Sequence, residues 1–459
     1  MQYDDIAAIA TPPGEGGIAI IRLSGRHVIA KVQKIFKPYR EQIRLDECSS
    51  HTLTLGWITD EQDELIDEVL VSIMRSPHSY TTEDVVEINC HGGTLPARQI
   101  LRRIMGLKIR LAEPGEFTRR AYLNGRLDIS QAEAVIELIR AKSDQARRLA
   151  LRQLNGYNSR QTDRLEDQLI HINALVEASL DFPDDVGEPD YQALEEQLAE
   201  IIQQIEQIIA AGKRAEVYRE GIRVVICGKP NVGKSSLLNA LLRKEKAIVT
   251  DIPGTTRDVI EDYLNIKGIP VKLMDTAGIR TTHDLVERIG VDRSREVISE
   301  ADLVIFLVDF ESGITEEDLV IFHSIESSPV IILVNKEDLE EKNISEMELQ
   351  QYFPGVKVIK GSVKEDIGLQ ELENSIEAMV LSENLSGQDM EIMLNLRQLA
   401  IMEKARQHLL DARYNLNSVP LDCLGVDIWG ALESLGEISG KNLKEEVLDR
   451  IFSEFCIGK

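Results

Sequence analysis

The stretch Gly228-Lys229-Pro230-Asn231-Val232-Gly233-Lys234-Ser235 has the spacing GxxxxGK[ST], in which each residue type has its own task around a polyphosphate. Gly228 and Gly233 let the backbone turn so that successive N–H groups, from Asn231 through Ser236, face phosphate oxygens. Lys234 brings a point charge to the outer phosphates, and Ser235 offers its hydroxyl to Mg²⁺. The apolar run 223–227 before the loop and Ser236-Leu237-Leu238 after it predict a strand feeding a helix, the setting this loop requires. A second element, Asp275-Thr276-Ala277-Gly278, follows the apolar run 271–274. Its Asp can reach Mg²⁺ and its Gly N–H can sense the terminal phosphate.

Two further elements bear on the base. Asn335-Lys336-Glu337-Asp338 closes the run 330–334 and resembles the NKxD guanine reader of GTPases, in which the Asp accepts from the ring N–H and the exocyclic amine that adenine lacks. Ser362-Val363-Lys364, after the run 356–359, resembles the fifth GTPase motif, with Val363 standing where Ala is usual. A small, polar turn explains any one of the four, but four in order at strand ends make a nucleotide site. Directly after DxxG stands Ile279, an apolar side chain that cannot orient water, so hydrolysis needs another device.

These elements sit in a chain whose pattern changes three times. Residues 1–118 mix short β-like runs with Gly and Pro turns and read as an α+β domain. Helical periodicity takes over at 131–154 and 160–180, breaks at Phe182-Pro183-Asp184-Asp185 and resumes over 191–211. Between 221 and 379, five apolar β-like runs alternate with helical stretches, as in a doubly wound, mostly parallel sheet. Amphipathic helical repeats return over 390–452. The expected fold is therefore multidomain α/β and α: an N-terminal domain (1–118), a discontinuous helical domain (119–215 and 380–459) and an inserted Ras-like P-loop domain (216–379).

The chain has 459 residues, a formal net charge of −26 and five scattered cysteines without a CxxC pair. Such acidity argues against coating nucleic acid nonspecifically, since that binding depends on cations neutralising phosphates. Any RNA contact must be local, at clusters such as Arg102, Arg103, Lys108 and Arg110, then Arg119 and Arg120, then Arg147, Arg148 and Arg152, although solvated helix faces explain each cluster better when it is taken alone. The acidic start and the lack of a long apolar run predict a cytoplasmic protein without a membrane segment.

The segments ATPPGEGGIAIIRLSG, EDVVEINCHGG, EPGEFTRRAYLNGRLD, TDIPGTTRD, DTAGIRTTHDLVERIG and the terminal CIGK resemble the MnmE (TrmE) family of tRNA modification GTPases over essentially the whole chain. By that resemblance, Asn231 and the loop Thr250-Asp251-Ile252-Pro253-Gly254-Thr255 would hold K⁺ beside the phosphates of GTP, with Asn231, Thr250, Ile252 and Thr255 as ligands. Thr256 would join Ser235 in the Mg²⁺ shell, and Glu287 would be the catalytic glutamate that orients water. On its own, Glu287 is an exposed carboxylate in a charged stretch.

The resemblance also implies a formyl-tetrahydrofolate site in the N-terminal domain at Arg22, Glu87, Arg126 and Lys459, for 5-formyl-tetrahydrofolate or a related one-carbon folate. Structural salt bridges explain these residues taken singly. Cys456 in CIGK is a candidate near that pocket, and His91 reads as a packed, hydrogen-bonded histidine. Implied partners are a second copy, an FAD-dependent MnmG-like protein in a heterotetramer or larger complex, and tRNA, whose wobble uridine would gain a carboxymethylaminomethyl or aminomethyl group at carbon 5. The alternative is an Era-like regulatory GTPase of ribosome assembly without modification chemistry.

Overall fold

The structure is a computed structural model that describes residues 4–187, 189–244, 263–274, 300–381, 392–416, 418 and 420–459. The N-terminal region folds as β1 (Ile6–Ile9), β2 (Ile18–Ser24), α1 (Val28–Val32), β3 (Phe36–Pro38), β4 (Thr52–Thr59), β5 (Leu65–Met74), β6 (Val85–His91), α2 (Thr94–Met105) and β7 (Arg110–Leu111). Its seven strands lie in the order β3-β4-β5-β6-β2-β1-β7, antiparallel except for the parallel β1–β7 pair. Period-two burial drives the sheet: Val69, Val71 and Ile73 of β5 point inward with Ile21, Leu23 and Ile88, and Ile100 and Ile104 of α2 pack onto them.

Helices follow: α3 (Glu116–Leu123), α4 (Ile129–Arg140), α5 (Asp144–Leu154), α6 (Tyr157–Asp181), α7 (Pro183–Val186) and α8 (Tyr191–Glu220). The run 131–154, expected as one helix, is two. Ser143 has extended backbone and accepts from the N–H of Ala146 at 3.1 Å, so its hydroxyl caps a new helix instead of continuing the old one. Helix α8 passes well beyond residue 211 and ends only at Gly221, whose φ of +80° and close approach to the Pro270 carbonyl leave no room for a Cβ.

The next segment contains β8 (Ile222–Cys227), α9 (Lys234–Lys244), β9 (Tyr263–Ile266), β10 (Ile269–Met274), β11 (Leu303–Asp309), α10 (Glu316–Ile325), β12 (Val330–Asn335), α11 (Glu346–Tyr352), β13 (Lys357–Lys360) and α12 (Leu369–Leu381). The strand order is β13-β12-β11-β8-β10-β9, parallel except at β9. That makes six strands among the described residues where the apolar runs predict five. The extra strand is short and polar at alternate positions, and it joins β10 through Lys267 and Gly268, both at positive φ as a tight hairpin demands. With β8 between β10 and β11, the chain's winding reverses beside β8, which marks the carboxyl ends of these strands as the place where open α/β sheets bind ligands.

Helices α13 (Leu396–Asn415), α14 (Leu421–Ser439) and α15 (Glu445–Ser453) complete the chain. Leu169, Ile172 and Val176 of α6, Leu198, Ile202 and Ile205 of α8, Leu409 of α13 and Ile428 and Leu435 of α14 share one core. Their three-to-four-residue spacing puts each set on one helix face. Across the insertion, Arg397 forks onto buried Glu133 at 2.8 and 2.9 Å, and Asn158 donates to the Met393 carbonyl at 2.6 Å, so the two helical pieces are tied by charge as well as packing. Phe452 and Phe455 pack on Ile129 and Ala132, and each such ring contributes on the order of 1.5–3 kcal/mol by burial. This packing carries the last residues back to the N-terminal sheet.

Candidate functional site

Residues 228–233 leave β8 through a strained turn: φ is +140° at Gly228, +65° at Asn231 and +109° at Gly233. Glycine is required at both ends. A Cβ at Gly228 would lie 2.3 Å from the Leu307 carbonyl oxygen, and one at Gly233 would lie 2.3 Å from Nδ2 of Asn335. Lys234 opens α9, with its ammonium 2.8 Å from the Gly228 carbonyl and 2.6 Å from that of Lys229. Burial lowers its pKa, against the opposing effects of Cys227 and Glu317. Ser235 and Ser236 are exposed in the first turn of α9, and Asn231 is exposed at the apex. Burial pushes the Cys227 thiol up to about 12, so behind the loop it is a neutral apolar filler.

Asn335 ties three sequence motifs together. Its Nδ2 donates to the Val232 carbonyl at 2.8 Å and its Oδ1 accepts from the Val363 N–H at 3.0 Å, both buried. Lys336, at φ +67°, points its ammonium to Asp309 and Glu311 at 3.4 and 3.2 Å. Asp338 is exposed, and a hydrogen bond from Ser362 is the main cause of its lowered pKa, keeping it an acceptor as base recognition requires. Lys364 is exposed beside Glu365. Asn231, Val232, Gly233, Lys234, Ser235, Asn335, Asp338 and Ser362 thus share the carboxyl rim of one sheet. Thr250, Asp251, Ile252, Pro253, Gly254, Thr255, Thr256, Asp275, Thr276, Ala277, Gly278, Ile279 and Glu287 lie outside the described residues.

A second set converges from distant parts of the chain. Arg22 pairs with Glu87 through Nε at 2.8 Å across the β2–β6 register, and its Nη1 donates to the Gly458 carbonyl at 3.2 Å. The ring of Tyr80 lies 5.7 Å from the Arg22 guanidinium and 4.8 Å from that of Arg126, which also donates to the Tyr80 carbonyl at 3.1 Å. Lys459 has its pKa lowered, first by burial and then by Arg22, with Glu87 and Cys456 acting the other way. Cys456 is exposed at the edge of this group, one of five free thiols. Three cations, a carboxylate and an aromatic face suit an anionic ligand with a flat polar head.

His91 is hydrogen-bonded as expected but not packed. It is exposed, and its Nδ1 pairs with Asp67 at 2.7 Å, which raises its pKa. The register of β6 places residue 91 at the strand end, outside the buried positions 86, 88 and 90. The basic clusters are largely engaged within the chain: Arg110 and Arg120 grip Glu116, Arg119 meets Asp449 at 2.9 Å, and Arg147 and Arg148 share Asp144. Tyr80 has no motif to mark it. Nor does Lys142, whose ammonium lies 2.9 Å from the Tyr263 hydroxyl and 4.0 Å from its ring centroid, joining the α4–α5 break to β9. Among the described residues no helix is long and apolar enough to cross a membrane.

The description "MnmE helical domain" matches residues 129–456, and "GTP-binding protein TrmE N-terminus" matches residues 5–126. The chain belongs to the MnmE family of tRNA modification GTPases. The family member of Syntrophomonas wolfei is 66% identical over 99% of both chains, and that of Moorella thermoacetica is 48% identical over the full length of both. Among solved structures, Era of Aquifex aeolicus is similar at 29% identity over 41% of this chain and 67% of that one, with a TM-score of 0.28. The G domain of the T. maritima FeoB iron transporter is similar at 32% identity over 34% and 98%, with a TM-score of 0.26. Family membership takes in both residue groups, since the matched segments contain Arg22, Glu87 and Arg126 on one side and the entire phosphate loop and Cys456 on the other.

Proposed function

We propose that this MnmE-family GTPase acts as a cytoplasmic homodimer with an FAD-dependent, MnmG-like partner, adding an aminomethyl or carboxymethylaminomethyl group to carbon 5 of the wobble uridine of certain tRNAs. The observation that carries this reading is the delivery of the chain's terminus to Arg22 and Glu87 in a protein that also holds a complete phosphate loop. A regulatory GTPase without modification chemistry has no use for the first. In this reading Arg22, Arg126 and Lys459 hold the carboxylates of a one-carbon folate, Tyr80 lies against its flat head and Glu87 accepts from its N–H groups, a reading supported by the convergence of these side chains. Such a folate supplies the methylene carbon when bound.

On the nucleotide side, the amides of the turn and Lys234 neutralise phosphate charge, Ser235 and Thr256 are ligands for Mg²⁺, and Asp338 selects guanine. Asn231, exposed at the apex of the strained turn, is the described member of the K⁺ set. K⁺ there supplies positive charge in place of an arginine finger. Glu287 aims the water that Ile279 cannot. Hydrolysis drives domain movement and contributes no bond to the base. Mass spectrometry of wobble nucleosides after deleting the gene should show loss of the carbon-5 group, and intact modification would overturn the reading. Turnover in K⁺ should exceed that in Na⁺ at matched ionic strength, and equal rates would remove the K⁺ assignment.

A further inference from the structure

The phosphate loop contains a buried cation that the GTPase motifs do not account for. Lys229 is the second residue of the loop, yet its side chain is turned inward and only 10% exposed. Its ammonium reaches Asp318 at 2.7 Å, Thr315 Oγ1 at 3.0 Å and Ser312 Oγ at 3.3 Å. Asp318 is fully buried in the first turn of α10.

Capping explains only part of this carboxylate, which as the N3 residue of a capping box accepts from the backbone of Thr315 at the N-cap. Its Oδ2 accepts from the Thr315 N–H at 2.9 Å and Oγ1 at 2.8 Å as well as from Lys229, whereas Oδ1 is buried without a hydrogen-bond partner among the described residues. A neutral Gln could close the box at this position without leaving half a charge unsatisfied. What the carboxylate adds is a fixed counter-charge for Lys229.

The same lysine controls the loop through its backbone, because its carbonyl receives the Lys234 ammonium at 2.6 Å. Asn231, two residues on, sits at φ +65°, a conformation that persists in a non-glycine residue only when its surroundings hold it. The loop therefore has two anchors: Asn335 on the Val232 carbonyl at one end, and Asp318 on the Lys229 side chain at the other. A second route joins them, since Ser312 donates through its N–H to Asp309 at 2.7 Å and Asp309 meets Lys336 of the guanine-reading motif.

We infer that Asp318 is a positioning residue for nucleotide binding: through Lys229 it holds the phosphate loop in its strained, amide-forward shape before nucleotide arrives. The inference rests on the nucleotide reading of this loop, which GDP binding by the wild-type chain tests by itself. The full-length protein and its Asp318→Asn, Lys229→Met and Lys229→Arg variants are titrated with a fluorescent GDP analogue and competed with GDP and GMP. The wild type should prefer GDP strongly, because the loop cradles the outer phosphates. Asp318→Asn and Lys229→Met should each cut that preference about tenfold, the order expected when a strained backbone position loses its support. Lys229→Arg should keep it, since the charge and its partner remain. Melting temperatures of the nucleotide-free proteins run in parallel. If Asp318→Asn and Lys229→Met melt lower but keep the GDP-to-GMP ratio within about twofold of wild type, the pair is a structural tie of α10 and the inference fails. Should Asp318→Asn not fold, the ratio for Lys229→Met against Lys229→Arg decides alone: a gap of about tenfold supports positioning, and equal ratios overturn it.

Discussion

The phosphate loop and the pocket at the chain's end reach order by opposite routes. In the first, eight consecutive residues carry most of the chemistry, and their strained backbone is set by local glycine positions and a few side-chain contacts within the same sheet domain, chief among them Asn335 at the end of β12. In the second, residues 22, 80, 87, 126 and 456–459 come from five places in the chain, and the last of these joins the others because Phe452 of α15 and Phe455 beyond it dock on α4. A local site survives insertion into a foreign domain, which is how a GTPase unit can sit between two helical pieces. A convergent site depends on everything that positions its parts.

If that contrast is right, the two regions should fail independently. The largest effect is expected from Lys234→Ala, which removes the ammonium held at the Gly228 carbonyl and proposed to meet the outer phosphates, and should slow GTP hydrolysis by about two to three powers of ten. Its binding of formyl-tetrahydrofolate, followed by calorimetry, should match wild type. A parallel loss of folate binding would break the contrast, because it would mean that the loop's integrity reaches the other pocket without nucleotide.

The reverse experiment uses Gly458, which has φ +97° and would place a Cβ 2.8 Å from the Ile9 carbonyl oxygen. Gly458→Ala should lift the tail and weaken folate binding by about tenfold, the order expected from one strained backbone position. Single-turnover GTP hydrolysis should stay within about twofold of wild type, since the helix behind the phosphate loop and the helix bearing the tail pack into separate cores. Folate affinity unchanged by the substitution would leave the tail as packing only.

The contrast also explains what can be read from the sequence. GxxxxGK[ST] and NKxD encode geometry through spacing, so the loop, its strand and its helix are legible from residues 223–238 and 330–338 alone. Asn335 as the bolt between loop and fifth motif is legible only as far as the motif goes, because its contacts run to Val232 and Val363. For the tail pocket, resemblance names Arg22, Glu87, Arg126 and Lys459, but no periodicity can bring position 459 next to position 22. Tyr80 escapes because an aromatic residue in a Ser- and Thr-rich stretch looks like turn packing. The α4–α5 break is hidden because apolar spacing runs through it, while one serine hydroxyl decides the backbone. Lys229 escapes for the opposite reason: inside a motif whose x positions carry no stated task, its own side chain is background.

The smallest expected effect is also the one that separates charge from packing beneath the tail pocket. Glu116 begins α3, next to Gly115, where a Cβ would collide with the Phe452 carbonyl of the tail-bearing helix. Burial opposes its ionisation, yet the Arg110 fork, the Glu113 N–H and Arg120 together hold its pKa below the ordinary 4.5. A carboxyl whose pKa is depressed on folding stabilises the fold above its unfolded pKa, and that contribution is lost as pH falls through the lower folded value. Its share should therefore be complete at neutral pH, nearly complete at about pH 5 and fading only below about 4.5. Glu116→Gln keeps the shape and removes the charge, so it should cost about 2 kcal/mol at neutral pH, typical for charge-assisted hydrogen bonds to a buried group. The chain has two tryptophans, Trp57 in β4 and Trp429 in α14, so Trp429→Phe leaves Trp57 fluorescence as a reporter of the N-terminal region. Urea titrations of the Trp429→Phe protein, with and without Glu116→Gln, at about pH 7, 5 and 3.5 should show a stability gap that holds between the first two and narrows at the third. GTP hydrolysis at neutral pH should not distinguish the two proteins. A gap that persists undiminished in acid would mean that Glu116 acts by its shape, and the tail pocket would then rest on packing rather than on the carboxylate clasped between Arg110 and Arg120.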